Sequence, residues 1–260
     1  MKRFDIIVRN DSKSQLIAEE IKSKLIENGC EYSPLDAELI VCVGGDGTLL
    51  NAFHDNIHSL DRLKFVGIHT GTLGFSTDYT VNEIDQLVED ISTKEPVIDH
   101  KAVLQVECFN GEKNHTFYAL NEIRVENIVK TQAIDVYIND DYFESFRGNG
   151  ICVSGQHGST AYNRSIGGAV LYPGLDLLQM TEISGIHHRH SRSLGAPLIM
   201  NSDALISLRN ETFKHALLCY DHLHIHLDLI QRIDIYNSTK TMQFARYRSI
   251  PHLKRLCSLF

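Results

Sequence analysis

Closely spaced cysteine pairs, long apolar runs and an excess of positive charge are all missing from this chain of 260 residues. Its six cysteines stand singly, several of them within apolar segments, as buried thiols in a reducing compartment do. No apolar run approaches the roughly 20 residues of a membrane-spanning helix, and residues 1–5 lack the apolar stretch of a signal peptide. We therefore expect a cytoplasmic protein with no membrane partner.

The charge balance narrows the choice of partners. The formal net charge of −8 disfavours a nucleic-acid-binding surface, which needs an excess of lysine and arginine. A locally basic stretch near the end contains Arg246, Arg248, Lys254 and Arg255, and we interpret it as a solvated or intersubunit segment. We expect no nucleic-acid partner. The sequence contains neither an internal repeat nor a low-complexity segment, and its length suffices for two modest hydrophobic cores.

A glycine-rich turn with one carboxylate is the most informative motif. The apolar residues 39–43 lead directly into Gly44, Gly45, Asp46, Gly47 and Thr48, after which a helical pattern begins. Glycine lets backbone amides approach phosphate closely, and the N-terminus of a helix favours an anion. The motif matches neither the G-x-G-x-x-G dinucleotide fingerprint nor the G-K-[ST] ending of a Walker loop.

The carboxylate of Asp46 separates two interpretations of this turn. Phosphate repels a carboxylate unless that group holds a metal ion or accepts a proton from an attacking hydroxyl, so the motif indicates phosphoryl transfer. Alternatively, the turn only joins a strand to a helix, and Asp46 caps that helix. The motif by itself leaves both interpretations open.

Strands and helices alternate over the first hundred residues. The pattern predicts strands at residues 4–8, 39–43 and 65–69, and helices at residues 14–28, 48–58 and 82–92. This alternation is typical of a parallel sheet with helices on both faces, which binds ligands at the C-terminal ends of its strands. A second glycine turn, residues 69–75, falls at the same edge, so we expect the two turns to form one cleft.

After Pro96 the hydrophobic period changes to two, which predicts an antiparallel β domain. The predicted strands are residues 103–109, 116–120, 133–138, 142–146, 205–208, 222–227 and 233–236. Residues 148–165 interrupt them as a strand, a glycine-bounded turn and a helix start that Ser159 or Thr160 can cap. The predicted fold class is α/β. An N-terminal Rossmann-like domain with a parallel sheet takes residues 1–98 and the tail 240–260, and a β-rich, sandwich-like domain takes residues 99–239.

Taken together and in order, these motifs resemble the NAD kinase family in its short bacterial form, over essentially the whole chain. The matching segments are residues 44–48, 69–75, 119–122, 146–148, 158–163 and 244–249. The glycine–aspartate motif is shared with lipid kinases and phosphofructokinases, whereas the ordered set of motifs is specific.

The resemblance implies transfer of the γ-phosphoryl group of ATP to the 2′-hydroxyl of the adenosine ribose of NAD, with Mg²⁺ or another divalent cation. Asp46 would orient or deprotonate that hydroxyl, while Gly44, Gly45, Gly47 and Thr48 hold phosphate together with the metal. The metal would be held through the phosphates and by Asp46, without a fixed set of protein ligands. The resemblance also implies a homo-oligomer, as a tetramer, and leaves a dimer and a polyphosphate donor open.

The implied NAD-binding residues lie in both predicted domains. Asn121 and Glu122 would meet the sugar and adenine, and Phe75 would supply an apolar wall. The whole set is Asp46, Phe75, Asn121, Glu122, Arg147, Asn149, His157, Thr160, Ala161, Tyr162, Ser165 and His222.

Three departures from the family pattern support a different hypothesis. Asn149 replaces the usual aspartate, Gly155-Gln156-His157-Gly158 replaces Thr-Pro-Ser/Thr-Gly, and Ser76 replaces a frequent tyrosine. The first two favour a dinucleotide-binding regulator or sensor with weakened turnover, whereas the intact Asp46, Asn121 and Glu122 favour a working kinase. A kinase of a lipid or sugar is the third hypothesis, which the adenosine-binding motifs oppose.

Two groups of histidines invite a metal hypothesis. His187, His188 and His190 lie in one predicted loop, and His222, His224 and His226 alternate along a predicted strand. Since no carboxylate or cysteine at ligand spacing completes either group, we do not predict a metal site there. His222 follows Asp221 in a pair that resembles one near the family's bound nucleotide, and we assign His222 a supporting binding role.

Overall fold

The computed structural model describes residues 1–71, 74–111, 114–187 and 193–257. The chain forms two compact units. The first contains Met1–Lys101 together with Lys240–Phe260, and the second contains Ala102–Thr239.

Parallel strands and the helices between them form the first unit. In chain order it contains β1 (Arg3–Val8), α1 (Ser12–Glu27), β2 (Glu31–Tyr32), β3 (Leu39–Gly44), α2 (Asp46–Asp55), β4 (Lys64–His69), β5 (Tyr79–Thr80) and α3 (Ile84–Thr93). β3 pairs in parallel with β1 on one side and β4 on the other. β2 extends the sheet beyond β1, and β5 pairs with β4. This confirms the predicted parallel sheet.

The central strand β3 has all six of its residues buried, as expected for a strand covered on both faces. Leu39, Val41 and Val43 share one hydrophobic cluster with Ile21 of α1 and Leu87 of α3. Because side chains alternate along a strand, Ile40 and Cys42 face the other side. The buried residues of α2, which contacts β3, lie outside that cluster. Helices therefore cover both faces of the sheet.

Antiparallel strands form the second unit, which begins within β6 (Val97–Phe109) and ends within β17 (Arg232–Arg246). One sheet contains β6 and β7 (Asn114–Ala119) as a pair, and β9 (Gln132–Ile138), β10 (Asp141–Gly148), β14 (Ile206–Arg209) and the first part of β17. The other sheet contains β8 (Glu122–Glu126), β11 (Gly150–Gly155), β12 (Leu177–Ile183), β13 (Leu198–Asn201), β15 (Leu217–Tyr220) and β16 (Leu223–His226).

A single hydrophobic core joins these two sheets. Val106, Val136 and Ile206 enter it from the first sheet, and Val125 and Val153 from the second. All five side chains are fully shielded from solvent. The second unit is therefore a β-sandwich in which each strand turns one face inward, as its period-two pattern predicts.

Alternation along β8 was missed by the sequence prediction, although Glu122–Glu126 follows the pattern closely. Ile123 and Val125 point into the core, and the charged residues that alternate with them, Glu122, Arg124 and Glu126, point away from it. The strands β2, β5, β12, β13 and β15 were missed as well. Two of them, β2 and β5, have only two residues, which is too short for a period to be recognised.

The predicted cap of the helix after β11 is wrong. The helix α4 (Tyr162–Ser165) begins after Ala161 and has no side-chain cap. The Ser159 hydroxyl instead donates to the carbonyl of Gln156 at 2.7 Å and accepts from the amide of Leu171 at 3.0 Å. Residues 157–160 form a 3₁₀ turn, so this hydroxyl closes a turn of its own.

The prediction of a solvated or intersubunit tail is also wrong for its arginines. Arg246 and Arg255 both form ion pairs with the fully buried Asp78, and Arg248 pairs with Glu83 at 2.6 Å. Arg255 lies in a short helix, α5 (His252–Cys257), and is buried, whereas Lys254 beside it is exposed. Sequence charge alone gave no sign of these acidic partners, which lie about 170 residues earlier in the chain.

All six cysteines lie within the described ranges and are free thiols, five of them buried. Among the described residues, no helix combines the length and apolar character that crossing a membrane requires.

Candidate functional site

Asp46 is the first residue of α2, where β3 ends. Its two carboxylate oxygens each accept one backbone amide, Phe75 N–H at 3.1 Å and Ser76 N–H at 3.0 Å. Asp46 therefore ties the first glycine turn to the second. Since a carboxylate oxygen can accept two hydrogen bonds, each oxygen keeps a lone pair for a ligand. The side chain is only partly buried, so a ligand can reach it.

The Asp46 side chain does not cap α2, which was one of the two interpretations of the glycine turn. The cap residue of α2 is Gly45, and no side chain bonds to the first-turn amides there. The amides at the start of a helix have no partner within it and favour an anion. The Thr48 amide bonds to the Gly45 carbonyl at 3.0 Å, so a carboxylate directed at the neighbouring turn leaves the amides before Thr48 to a ligand.

Gly44 and Gly47 differ in why they are glycine. A Cβ at Gly44 would overlap the Thr48 hydroxyl and lie 2.8 Å from Thr48 Cβ, so packing requires glycine there. A Cβ at Gly47 would have no atom within 4 Å, and Gly47 is exposed. Nothing within the described chain therefore demands glycine at position 47, and the backbone there is open to close approach.

His69, at the end of β4, is a further polar residue between the two glycine turns, and the sequence reading gave it no role of its own. Its Nδ1 accepts the amide of Gly71 at 2.9 Å, which places the proton of the neutral imidazole on Nε2. A Cβ at Gly74 would lie 2.8 Å from the His69 ring and 2.9 Å from Asp46 Oδ1. His69 and Asp46 are thus neighbours at this edge of the sheet. Thr72 and Leu73 of the second turn lie outside the described residues.

Asp221 holds the predicted Asn121-Glu122 motif of the second unit. Its carboxylate accepts the amides of Leu120 at 2.9 Å and Asn121 at 2.7 Å. Asp221 lies in the turn between β15 and β16 with a positive φ of 53°, which aspartate tolerates better than most residues. Its neighbour His222 is exposed and lies in this turn, so the predicted strand that begins at His222 in fact begins at Leu223.

Glu122 carries the most perturbed carboxyl group near this motif. Burial, and after it the negative charge of Asp221, raise its pKa to about 7, although Arg124 and the Tyr162 amide act in the opposite direction. Its Oε2 has no hydrogen-bond partner among the described residues. A buried oxygen without a partner is costly, so this atom is suited to a ligand that donates a hydrogen bond.

Tyr162 belongs to the same group of side chains as Glu122. The Arg124 guanidinium stacks over its ring at 4.1 Å and donates to Glu126 at 2.8 Å. This stacking gives the partly buried ring a fixed position. The turn before it is held by Asn163, whose side chain donates to the carbonyls of Ser159 and Ala169 and accepts from Thr181.

The predicted residues around Glu122 lie in this turn. Thr160 and His157 are buried, Ala161 is partly buried, and Ser165 at the end of α4 is exposed. Gly158 packs directly on the Asn121 backbone, since a Cβ there would overlap the Asn121 carbonyl and lie 2.6 Å from its Cα. The structure thus brings residues 121–122 and residues 157–162 together.

Arg147 and Asn149 lie at the other end of β11. Asn149 precedes this strand and His157 follows it, and six strand residues separate them by about 20 Å. The Asn149 side-chain amide donates to the Asn127 carbonyl at 2.9 Å. An aspartate at this position could not make that bond, because an ionised carboxylate has no proton to donate. The asparagine therefore has a structural partner of its own, and the exposed Arg147 lies beside it.

The histidine groups are described only in part. His188 and His190 lie outside the described residues, while His224 and His226 are exposed on β16 with ring centroids 6.5 Å apart. Across the described ranges, no three His, Cys, Asp or Glu side chains are arranged to hold a metal ion.

The contacts of Gly158 generate a stability prediction. Gly158→Ala is expected to lower the free energy of unfolding by about 2–3 kcal/mol, because its methyl group would overlap immobile backbone. Gly155→Ala is the matched control: it lies three residues earlier and its Cβ would meet no atom within 4 Å. Urea denaturation of the two variants is the measurement. Equal stabilities would contradict the close packing of Gly158 on Asn121.

The pKa of Glu122 generates a second prediction. Because its pKa in the folded state is about 7 and the ordinary pKa of a glutamate is 4.5, this carboxyl group favours the fold most below pH 4.5. That contribution, on the order of 3 kcal/mol, is lost progressively as the pH rises from about 4.5 through 7. Glu122→Gln removes the titrating group, so its advantage in unfolding free energy over the wild type should grow between pH 5 and pH 8.

Urea denaturation at several pH values measures this difference. Glu211→Gln, which changes an exposed carboxylate in the same unit, is the control and should follow the wild type. If Glu122→Gln and the wild type keep a constant difference across this range, the raised pKa is wrong.

Comparison with known proteins identifies the family. The model of the ATP-NAD kinase N-terminal domain matches residues 4–96, and that of the ATP-NAD kinase C-terminal domain matches residues 120–247. The chain is 39% identical to the NAD kinase of Latilactobacillus sakei over 95% of this chain and 92% of the relative. It is 38% identical to NAD kinase 1 of Listeria monocytogenes over 99% of this chain and 98% of the relative.

Two solved kinase structures have the same fold as this chain. The chain superposes on yeast NADH kinase, solved with NADH, with a TM-score of 0.81 and 18% identity, over 98% of this chain and 86% of the other. It superposes on an NAD kinase from Archaeoglobus fulgidus, solved with ATP, with a TM-score of 0.76 and 22% identity, over 99% and 98% of the two chains. With both family models matched and full-length relatives near 38% identity, the chain belongs to the ATP-NAD kinase family.

Proposed function

We propose that this protein is an NAD kinase, which transfers the γ-phosphoryl group of ATP to the 2′-hydroxyl of the adenosine ribose of NAD and forms NADP and ADP. The observation that carries the proposal is the arrangement of Asp46. In a member of this family, an accessible carboxylate stands at the start of a helix and is fixed by two backbone amides. Such a group is suited to accept the proton of an alcohol that attacks phosphorus.

The chemical step follows from this arrangement. The 2′-oxygen forms a bond to the γ-phosphorus as the bond between that phosphorus and the bridging oxygen of ADP breaks. Asp46 accepts the proton that the hydroxyl loses. Gly44, Gly45, Gly47 and Thr48, which form the turn from β3 into α2, hold phosphate, and the amides at the start of α2 favour its charge. His69, with its proton on Nε2, is placed to donate to an anion beside them.

The roles of the second unit follow from its hydrogen-bonding capacity. The Glu122 oxygen without a partner accepts from a ribose hydroxyl or from the adenine amino group, and Asn121 offers both a donor and an acceptor. The ordered turn at residues 160–162 lines the same nucleoside, with Tyr162 fixed by Arg124. Phe75 supplies an apolar wall, and His222 supports binding beside Asp221.

A divalent cation, Mg²⁺ by preference, completes the proposal. Asp46 is a single accessible carboxylate with free lone pairs, and one carboxylate together with substrate phosphates is a usual set of Mg²⁺ ligands. When bound, the metal neutralises charge on the phosphates. The chain's own residues position the acceptor hydroxyl and take its proton.

We further propose that the protein works in the cytoplasm as a homotetramer. Arg147 and Asn149 stand at the far end of β11 from residues 157–162. In the proposed tetramer, Arg147 and Asn149 contact the nicotinamide side of an NAD molecule that is bound by a neighbouring subunit.

Removing the proton acceptor tests the chemistry. Asp46→Asn is expected to lower kcat by about 10²- to 10⁴-fold and to change the KM values of NAD and ATP by less than about threefold, because the base acts on the transition state. The measurement is NADP formation from NAD, ATP and Mg²⁺, read with an NADP-specific dehydrogenase. Asp55→Asn, an exposed position at the other end of α2, is the matched control. Turnover of Asp46→Asn at the control's rate would eliminate this mechanism.

A substitution at Gly47 should affect ligand binding and folding stability in opposite directions. Gly47→Ala is expected to raise the free energy of unfolding by up to about 1 kcal/mol, since alanine favours a helix and meets no clash there. The same methyl group should raise the Kd for ATP about tenfold by standing between the amides and phosphate. Calorimetry of ATP binding and urea denaturation measure the two effects. Unchanged affinity would mean that phosphate does not approach Gly47.

A further inference from the structure

Three arginines of the C-terminal segment donate to four consecutive backbone carbonyls, those of residues 75–78. Arg255 donates to the carbonyls of Phe75 and Thr77, both at 2.9 Å. Arg246 donates to the carbonyl of Ser76 at 3.1 Å, and Arg248 to that of Asp78. Each carbonyl of this short stretch, which we call the clamped segment, is thus held by a guanidinium from more than 160 residues later in the chain.

The opposite side of the clamped segment holds Asp46. The amides of Phe75 and Ser76 donate to its carboxylate oxygens, while the amide of Asp78 donates to the carbonyl of Gly67 at 3.0 Å. The clamped segment therefore lies between a carboxylate on its amide side and guanidinium groups on its carbonyl side. A peptide group fixed on both sides cannot rotate without breaking one set of bonds.

Arg255 has the most complete set of contacts with this segment. Besides its two carbonyl bonds, it forms an ion pair with Asp78, which is fully buried, and it is itself only 8% exposed. Its helix α5 also contacts the side chain of Phe75, since the ring of His252 meets that ring edge-on with centroids 5.6 Å apart. Helix α5 thus holds both the backbone and the ring of Phe75.

We propose that Arg255 is a positioning residue for Asp46: helix α5 fixes the clamped segment, and the amides of that segment aim the carboxylate at the reacting hydroxyl. The inference rests on the proposed kinase function, which makes Asp46 the proton acceptor. Arg255 touches no substrate in this scheme and acts through the Phe75 and Ser76 amides. Small displacements of a catalytic group can cost up to about 10²-fold in rate, so a distant anchor can control kcat.

Substitution of Arg255 in the full-length protein tests the proposal. Arg255→Met keeps much of the apolar stem and removes the bonds to the Phe75 and Thr77 carbonyls and the ion pair with Asp78. The kcat for NADP formation is expected to fall about tenfold, with the KM values of NAD and ATP within about twofold of wild type. Lys254→Met is the matched control, because it removes an exposed cation from the same helix, and its kcat should remain within about twofold of wild type. Arg255→Lys retains a cation with a single donor group, so its kcat should lie between those of Arg255→Met and wild type.

Hydrogen exchange supplies a readout that does not depend on turnover. The Phe75 and Ser76 amides of Arg255→Met should exchange at least about fivefold faster than in Lys254→Met, with the rates of the β3 amides unchanged, as measured by NMR or by mass spectrometry of a peptide covering residues 74–79. If Arg255→Met does not fold, Arg255→Lys carries both measurements.

The two kinds of failure are distinguishable. Wild-type protein without turnover would refute the proposed function, and the exchange comparison would still decide whether Arg255 orders the clamped segment. Equal kcat and equal exchange in Arg255→Met and Lys254→Met would overturn the inference. Faster exchange throughout the first unit, or a change in KM without a change in kcat, would also overturn it, since either result indicates general stability or binding.

Discussion

The carboxylate of Asp46, held by two consecutive backbone amides, is the interaction on which the proposed chemistry of this protein depends. These two hydrogen bonds join the glycine turn after β3 to the one after β4. They also orient the carboxylate that we assign to the acceptor hydroxyl. The second unit repeats this arrangement, where Asp221 holds the amides of Leu120 and Asn121 before the Glu122 strand. In both units a short aspartate side chain orders a turn that has no regular secondary structure to satisfy its amides.

When the backbone amides of a short segment donate to a carboxylate, the carbonyls of that segment still need hydrogen-bond donors. At residues 75–78 arginines from the C-terminal segment supply them, and the buried Asp78 offsets part of their charge. One carboxylate oxygen of Glu122 has no partner among the described residues, and burial together with Asp221 raises the pKa of the group to about 7. In the clamped segment, the four carbonyls and the amides of Phe75, Ser76 and Asp78 all have partners within the described chain. The second unit retains hydrogen-bonding capacity for a ligand.

Much of the fold was predictable because its signals are local. The apolar residues of β3, the glycines after it and the alternation after Pro96 each report on a few adjacent residues, and the structure confirms the parallel sheet and the antiparallel sandwich. The errors concern contacts between distant residues. Arg246, Arg248 and Arg255 were interpreted as solvated because their acidic partners are far away in sequence, and Asn149 was judged by its lost charge although its amide bonds to Asn127.

By itself the sequence determined the α/β fold class, the family and the positions of the glycine–aspartate and asparagine–glutamate motifs, since periodicity and motif order need no knowledge of distant contacts. Only the tertiary structure decided what each motif residue does. It directed Asp46 to the second glycine turn rather than to its own helix, and it placed Gly158 on Asn121 while leaving Gly47 and Gly155 in open space. The physical reason is that a hydrogen bond, a steric overlap or a perturbed pKa depends on neighbours in space, which the fold brings together from remote parts of the chain.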